Sequence, residues 1–239
     1  MIREAIDKII SLTPPEIFTI NNETYCTDPL HWLKKPEHSP PGPLVLFTVQ
    51  AVVDYLAANI DDIKQCSILI VGPCRVEVIG PLQPENANER FLYAVAKSVY
   101  SPFVFNRFMP VDDFIVALQS LFEHNETREN LLSIIGNLAN EHIAQTHDDG
   151  ISQAVQIKSG ITTKTAVTLE NPVTLQPYRT FPEIEQPISQ FVIRFKNINE
   201  QMNVALYEAD GGMWQLTAIY RIKTWLEGQD TLKEVDIIG

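Results

Sequence analysis

The densest group of residues able to do chemistry is Glu141, His142, His147, Asp148 and Asp149. Histidine nitrogens and carboxylates together can hold a divalent ion and lower the pKa of a bound water, which is the chemistry of metal-dependent phosphohydrolases. The spacing argues against that use. Enzymes with an adjacent His-Asp pair draw further ligands from several other helices, whereas His31, His38 and His124 lie in or beside loop-like segments. His142 also falls on the apolar stripe of a predicted helix, where a core histidine is the commoner role, and Asp148-Asp149-Gly150 is a common turn sequence. His142, His147 and Asp148 are the candidate ligands of a minor reading, and no resident metal or cofactor is expected.

Other catalytic patterns are missing. There is no Gly-x-Ser-x-Gly, and no cysteine is tied to a histidine by local sequence. Glycine is scarce, ten in all, and neither a Gly-x-Gly-x-x-Gly nor a Walker loop occurs. Gly211-Gly212 stands between a predicted strand and helix, a place where anions bind, but Asp210 beside it would repel them. Arg179, Arg194, Lys196, Arg221 and Lys223 are interleaved with Tyr178, Phe181, Phe191 and Phe195. Single-strand binders stack bases on aromatic side chains over a basic sheet face. Here Phe191 and Phe195 alternate with Arg194 and must point the opposite way, so core packing under exposed charge is the expectation. An accessory role in phage nucleic-acid metabolism, binding single strands, is the alternative function.

Composition narrows the class. A chain of 239 residues, 45% hydrophobic, is long enough to bury a sizeable core without disulfides. Cys26, Cys66 and Cys74 match no zinc or redox spacing and read as ordinary apolar residues in a reducing compartment. A net charge of -12 disfavours nucleic acid and anionic lipid as partners. Residues 101 to 150 carry two basic and eight acidic residues, half of that excess; a solvated helical face accounts for this, and an acidic surface for a basic partner is the sharper reading. No apolar run of about 18 residues occurs, and MIREAIDKIISLTPP carries charge where a signal peptide has an apolar stretch, so a cytoplasmic protein with no membrane contact is expected.

The elements that position these residues follow from periodicity. Ile2, Ile6, Ile9 and Ile10 mark a short helix ended by Pro14-Pro15. Glu16 to Ile20 and Thr24 to Thr27 read as a hairpin, and residues 36 to 43, with four prolines, as a rigid loop. Leu44 to Phe47 reads as a strand, with Thr48 capping a helix whose stripe is Val49, Val52, Val53, Leu56 and Ile60. Ser67 to Val71, Arg75 to Ile79 and Phe91 to Ala96 form an antiparallel meander. Two helices follow, lined by Phe114, Ile115, Leu118, Leu121 and Phe122 and by Leu131, Ile134, Ile135, Leu138 and His142; their short link implies a helical hairpin. Strands return near residues 152 to 158, 162 to 169, 190 to 196 and 203 to 208. A closing helix turns Leu216, Ile219, Ile222 and Leu226 inward, and residues 228 to 239 are expected to fray or join a neighbour. The expectation is one α+β domain over residues 1–239, with antiparallel sheets, a central helical hairpin and a C-terminal helix, subdivided at about residues 100 and 150.

One stretch is distinctive. In residues 171 to 195, Pro172, Pro177, Pro182 and Pro187 recur every five residues, which breaks regular pairing and favours an extended arm. Such arms commonly cross a neighbouring subunit. Tyr178, Phe181 and Ile184 would then anchor in apolar pockets while Arg179 meets carboxylates; a loop wrapped over its own sheet is the other reading. This segment, Asn171-Pro172-Val173-Thr174-Leu175-Gln176-Pro177-Tyr178-Arg179-Thr180-Phe181-Pro182-Glu183-Ile184-Glu185-Gln186-Pro187, with Ser189 to Phe195 and the order of elements from about Tyr25 to Leu226, resembles the YfdQ-like family of phage and prophage proteins. The resemblance implies phage origin and residence in the host cytoplasm, and it carries over no functional residue. The sequence thus leads to a non-enzymatic, self-associating accessory protein whose partners are its own copies and a host or phage protein, with action against a host defence system as one outlet.

Overall fold

The computed structural model describes residues 17–20, 23–26, 42–83, 89–139, 143–148, 153–159, 162–163, 167–168, 171–199 and 201–239. Contacts divide the chain into two units, Met1–Pro41 and Gly42–Gly239. In the first, β1 (Ile17–Ile20) and β2 (Glu23–Cys26) form the expected antiparallel hairpin, with Ile20 opposite Glu23. The helix expected over residues 2 to 12 and most of the proline loop lie outside the described residues.

The second unit is α+β. It opens with β3 (Leu44–Leu46) and α1 (Val49–Ala58). Thr48 caps α1 as its sequence position implies, its hydroxyl accepting from Ala51 N at 3.1 Å. Asn59 ends the helix in the left-handed region at φ 43°. Ile60 therefore lies past the cap and is exposed, a correction to its place on the expected stripe. Next come β4 (Ser67–Gly72), β5 (Arg75–Gln83) and β6 (Glu89–Lys97), the predicted antiparallel meander. Ile68, Ile70, Val76, Val78, Ala94 and Ala96 alternate onto one buried face. That face packs in one core with α1 and α4 (Met213–Glu227). Completed by β15 (Asp236–Ile238), the sheet has the order β15-β4-β5-β6-β3, and both edge strands run parallel to their neighbours. The C-terminal stretch expected to fray instead makes a 3-10 turn at Asp230–Leu232 and β15 (Asp236–Ile238), paired with β4.

A second sheet runs β12-β13-β14-β7, all antiparallel, from β7 (Met109–Pro110), β12 (Val173–Leu175), β13 (Ser189–Ile198) and β14 (Gln201–Glu208). The hairpin helices α2 (Val111–Leu121) and α3 (Glu126–Ala139) share its core through Phe114, Leu118, Leu131 and Ile135. Asn125 accepts from Arg128 N at 2.9 Å and starts α3, while Arg128 Nη1 donates to Gln119 O and Phe122 O and satisfies the last carbonyls of α2. A third sheet is built on β9 (Gln153–Ser159), which pairs antiparallel with β8 (Ile143–Asp148), β10 (Thr162–Thr163) and β11 (Val167–Thr168). Among the described residues no helix is long and apolar enough to cross a membrane. Since β7 pairs with β14 and β15 with β4, the stretches before residue 100, from 101 to 150 and after 150 interlock.

Candidate interaction surface

The proline-spaced stretch 171–189 gives side chains both to the core of the five-stranded sheet and to that of the β12-β13-β14-β7 sheet. Val173 and Leu175 are buried with Phe191 beneath α2 and α3, whereas Phe181 and Ile184 are buried with α1, α4 and the five-stranded sheet. Prolines leave it only a three-residue strand, β12, so its remaining backbone groups must find partners elsewhere. Tyr178 N donates to Leu121 O (2.9 Å) and Glu123 N to Gln176 O (2.8 Å), which pins the stretch to the end of α2. On the other side Thr180 Oγ1 donates to Pro73 O (2.6 Å), Cys74 Sγ to Arg179 O (3.1 Å) and Ser98 Oγ to Thr180 O (2.9 Å). Glu183 accepts from Gln50 N in the first turn of α1 at 3.1 Å.

Two side chains organise the interior of this strap. The buried Gln186 accepts from Arg179 N and Thr180 N and donates to Phe181 O and Ile184 O, closing the turn on itself. Arg179, 6% exposed, donates to Glu208 Oε1 at 2.9 Å and to Ser189 Oγ, and lies 4.0 Å from Asp210 Oδ2. Burial pushes its guanidinium down to about 10, with Glu208 and Asp210 countering. The ring of Trp214, at the start of α4, covers it. The strap is thus locked to β14 and to the first turn of α4 by one cation.

The outer surface beside this lock is apolar. Inside, α4 buries Ala218, Ile222 and Leu226. Outside, Met213, Leu216 and Tyr220 are 59%, 61% and 70% exposed and fall on one helical stripe, continued by the exposed Thr224 and Glu227. The expectation that Leu216 faces inward is corrected: α4 is apolar on two sides, and Leu216 lies on the exposed one. Arg221 Nη1 donates to Glu185 O (2.9 Å) and Gln186 O (3.0 Å), and Ser189 Oγ donates to Asp210 Oδ2 (2.5 Å). Residues 185–189 therefore run alongside α4, and Ile188 among them is exposed. A cleft of about 350 Å³ beside Tyr220 is lined by Glu183, Ile184, Glu185, Arg221, Thr224 and Trp225.

The four residues expected to anchor a neighbouring copy are placed within the chain's own body, which corrects that expectation. Phe181 and Ile184 sit in its core, Arg179 meets its own Glu208 and Asp210, and Tyr178 stacks on Tyr100 with centroids 5.2 Å apart. Side chains enclosed in this way have little surface left for a partner. Tyr178 OH donates to Glu123 Oε2 at 3.3 Å, and burial, then the Glu123 charge, pushes both phenols of the stack upward. Phe191 and Phe195 are buried and Arg194 lies on the opposite face of β13, so these aromatic rings offer no platform for bases. His142 lies outside the described residues; His147 and Asp148 belong to β8, opposite Ala154 and Gln153, so Asp148 closes a strand where a turn was expected. Among the described residues no group of three or more metal-ligating side chains converges. Cys66 and Cys74 are free thiols, pushed upward by burial.

The exposed apolar stripe on α4 is the feature that sequence reasoning missed. Its signal was present: a 15-residue helix with only Arg221, Lys223 and Glu227 charged is too apolar for one buried face. Comparison with known proteins found no matching family model, no similar curated protein and no similar solved structure.

Proposed function

We propose that the chain is a phage-encoded accessory protein that acts in the host cytoplasm by binding, as an assembly of its own copies, and not by turnover. The observation that carries this reading is the outer face of α4, where Met213, Leu216 and Tyr220 are each more than half exposed in a single stripe. A helix on a protein surface ordinarily turns charged and polar residues to water, and a contiguous apolar patch marks a contact surface. The support beneath it is stiff, because Arg179 ties the strap, β14 and the start of α4 together. Binding is favoured over chemistry because this buried cation is neutralised by Glu208 and Asp210. The phage assignment rests on the likeness of residues 171 to 195 to the YfdQ-like family. Beyond its own copies, a host or phage protein is the class of partner such a face would take.

Light scattering or native mass spectrometry of the purified chain, at concentrations up to about 100 µM, is the direct test. A multiple of the 27.0 kDa chain mass is expected. A monomer throughout that range would remove the proposal.

A further inference from the structure

We infer that the outer face of α4 packs against the same face of a second copy, with the helices antiparallel about a two-fold axis beside Tyr220. The inference rests on the self-association proposed above and specifies its surface. Met213, Leu216, Tyr220, Thr224 and Glu227 are all exposed on one stripe of the helix. Their intervals, three, four, four and three residues, are the same read in either direction. In an isologous contact residue i meets j of the other copy and j meets i, and this spacing lets every residue of the stripe do so about Tyr220. Tyr220 then meets Tyr220 of the partner subunit, Leu216 meets the partner's Thr224, and Met213 meets the partner's Glu227. Intervals of three and four keep all five residues on one face of the helix.

Charge points to the same occupant. Within one copy the backbone groups at the ends of α4 find partners, but no charge within the first or last turn complements the helix dipole. Its N-cap is Gly212 with no side-chain cap bond, its first turn has no acidic residue, and its last turn has Glu227 and no basic residue. Asp210, near the N-terminal end, is already engaged by Gly212 N, Ser189 and Arg179. A carboxylate at a helix C-terminus is unfavourable and at an N-terminus favourable, and antiparallel pairing sets each Glu227, at the C-terminal end of its own helix, beside the N-terminal end of the partner's, which offsets the unfavourable placement. The chain as a whole carries -12, yet this stripe contains only one charged residue, with Arg221 and Lys223 beside it. Two copies meet here without the like-charge repulsion that most of their surface would impose.

The exposed surfaces of Met213, Leu216 and Tyr220 offer on the order of 400 Å² per copy, in the range of the largest apolar patch on a protein surface, which is often functional. That is about half of what a tight complex buries on each side, so the dimer should dissociate on dilution.

The experiment uses the full chain. Tyr220→Asp places two carboxylates at the axis on a side chain that is 70% exposed, so the assembly mass should fall by half while the thermal midpoint stays at that of the wild-type chain diluted to monomers. Under mild oxidation Tyr220→Cys should give a disulfide linking residue 220 of both copies, identified by peptide mapping. Leu216→Cys should cross-link efficiently only when mixed with Thr224→Cys. If the assembly mass survives Tyr220→Asp, or the cysteine variants remain assembled without these links, this interface is wrong while self-association stands. A wild-type chain that is monomeric at all concentrations would overturn both.

Discussion

The guanidinium carbon of Arg179 lies 4.1 Å from the centroid of the Trp214 ring and 5.7 Å from that of Phe191. A residue of the strap, a residue of β13 and the first turn of α4 thus share one buried cation. Removing it should loosen all three together.

Arg179→Ala leaves Glu208 and Asp210 facing each other without their counter-charge, and should cost about 3 kcal/mol in urea unfolding, the magnitude for breaking a buried pair. Arg179→Lys keeps the charge but loses the fork that reaches Glu208 and Ser189 at once, and should recover only part of that loss. Tryptophan emission should shift in Arg179→Ala as the cover over Trp214 opens. A stability equal to wild type would show that the lock is not needed.

Gln186 makes four hydrogen bonds from a buried side chain. Gln186→Leu keeps the volume and strands two N–H groups and two carbonyls, so about 2–4 kcal/mol should be lost. Amide exchange at Arg179 and Thr180 should accelerate well beyond that of β5, whose ladder is untouched. Equal acceleration in both places would mean that the strap does not open as a local unit.

Alkaline pH gives a third check. Burial and neighbouring carboxylates push the phenols of Tyr55, Tyr100 and Tyr178 upward. A folded-state pKa above the unfolded value of about 10 means that the folded chain holds protons which the unfolded chain releases. Their contribution to stability is complete below about pH 10 and declines as pH rises through the folded values. Tyrosinate absorbance should therefore lag behind the free-tyrosine curve above pH 10 and rise with unfolding. Seven tyrosines titrating together near 10 would contradict the burial of these three.

The C-terminal strand offers a paired comparison. Ile237 packs against the core shared by α1 and α4, whereas the adjacent Ile238 is 52% exposed. Ile237→Asp should cost about 2 kcal/mol and Ile238→Asp less than about 0.5 kcal/mol, judged by denaturation midpoints. Equal effects would mean that β15 is not held at the sheet edge in the register seen.

Features made by neighbours in sequence were legible from the residues alone. The Thr48 cap, the alternation of β4 to β6, the α2–α3 hairpin and the β13–β14 hairpin each depend on interactions across a few residues or one turn, and the chain writes them as periodicity, capping and turn chemistry. Contacts across long separations were not legible. The proline spacing shows that residues 171 to 189 pair poorly with a regular strand, but not whose surface they cover; that is decided by Gln50 meeting Glu183 and Arg179 meeting Glu208. Likewise, a helix apolar on two sides does not reveal which side meets the sheet. Tertiary packing put Ile222 and Leu226 in the core with the sheet and left Leu216 outside. The sequence by itself therefore determined which elements form and that α4 is too apolar for one buried face, while only the folded chain decided which apolar residues remain for a partner.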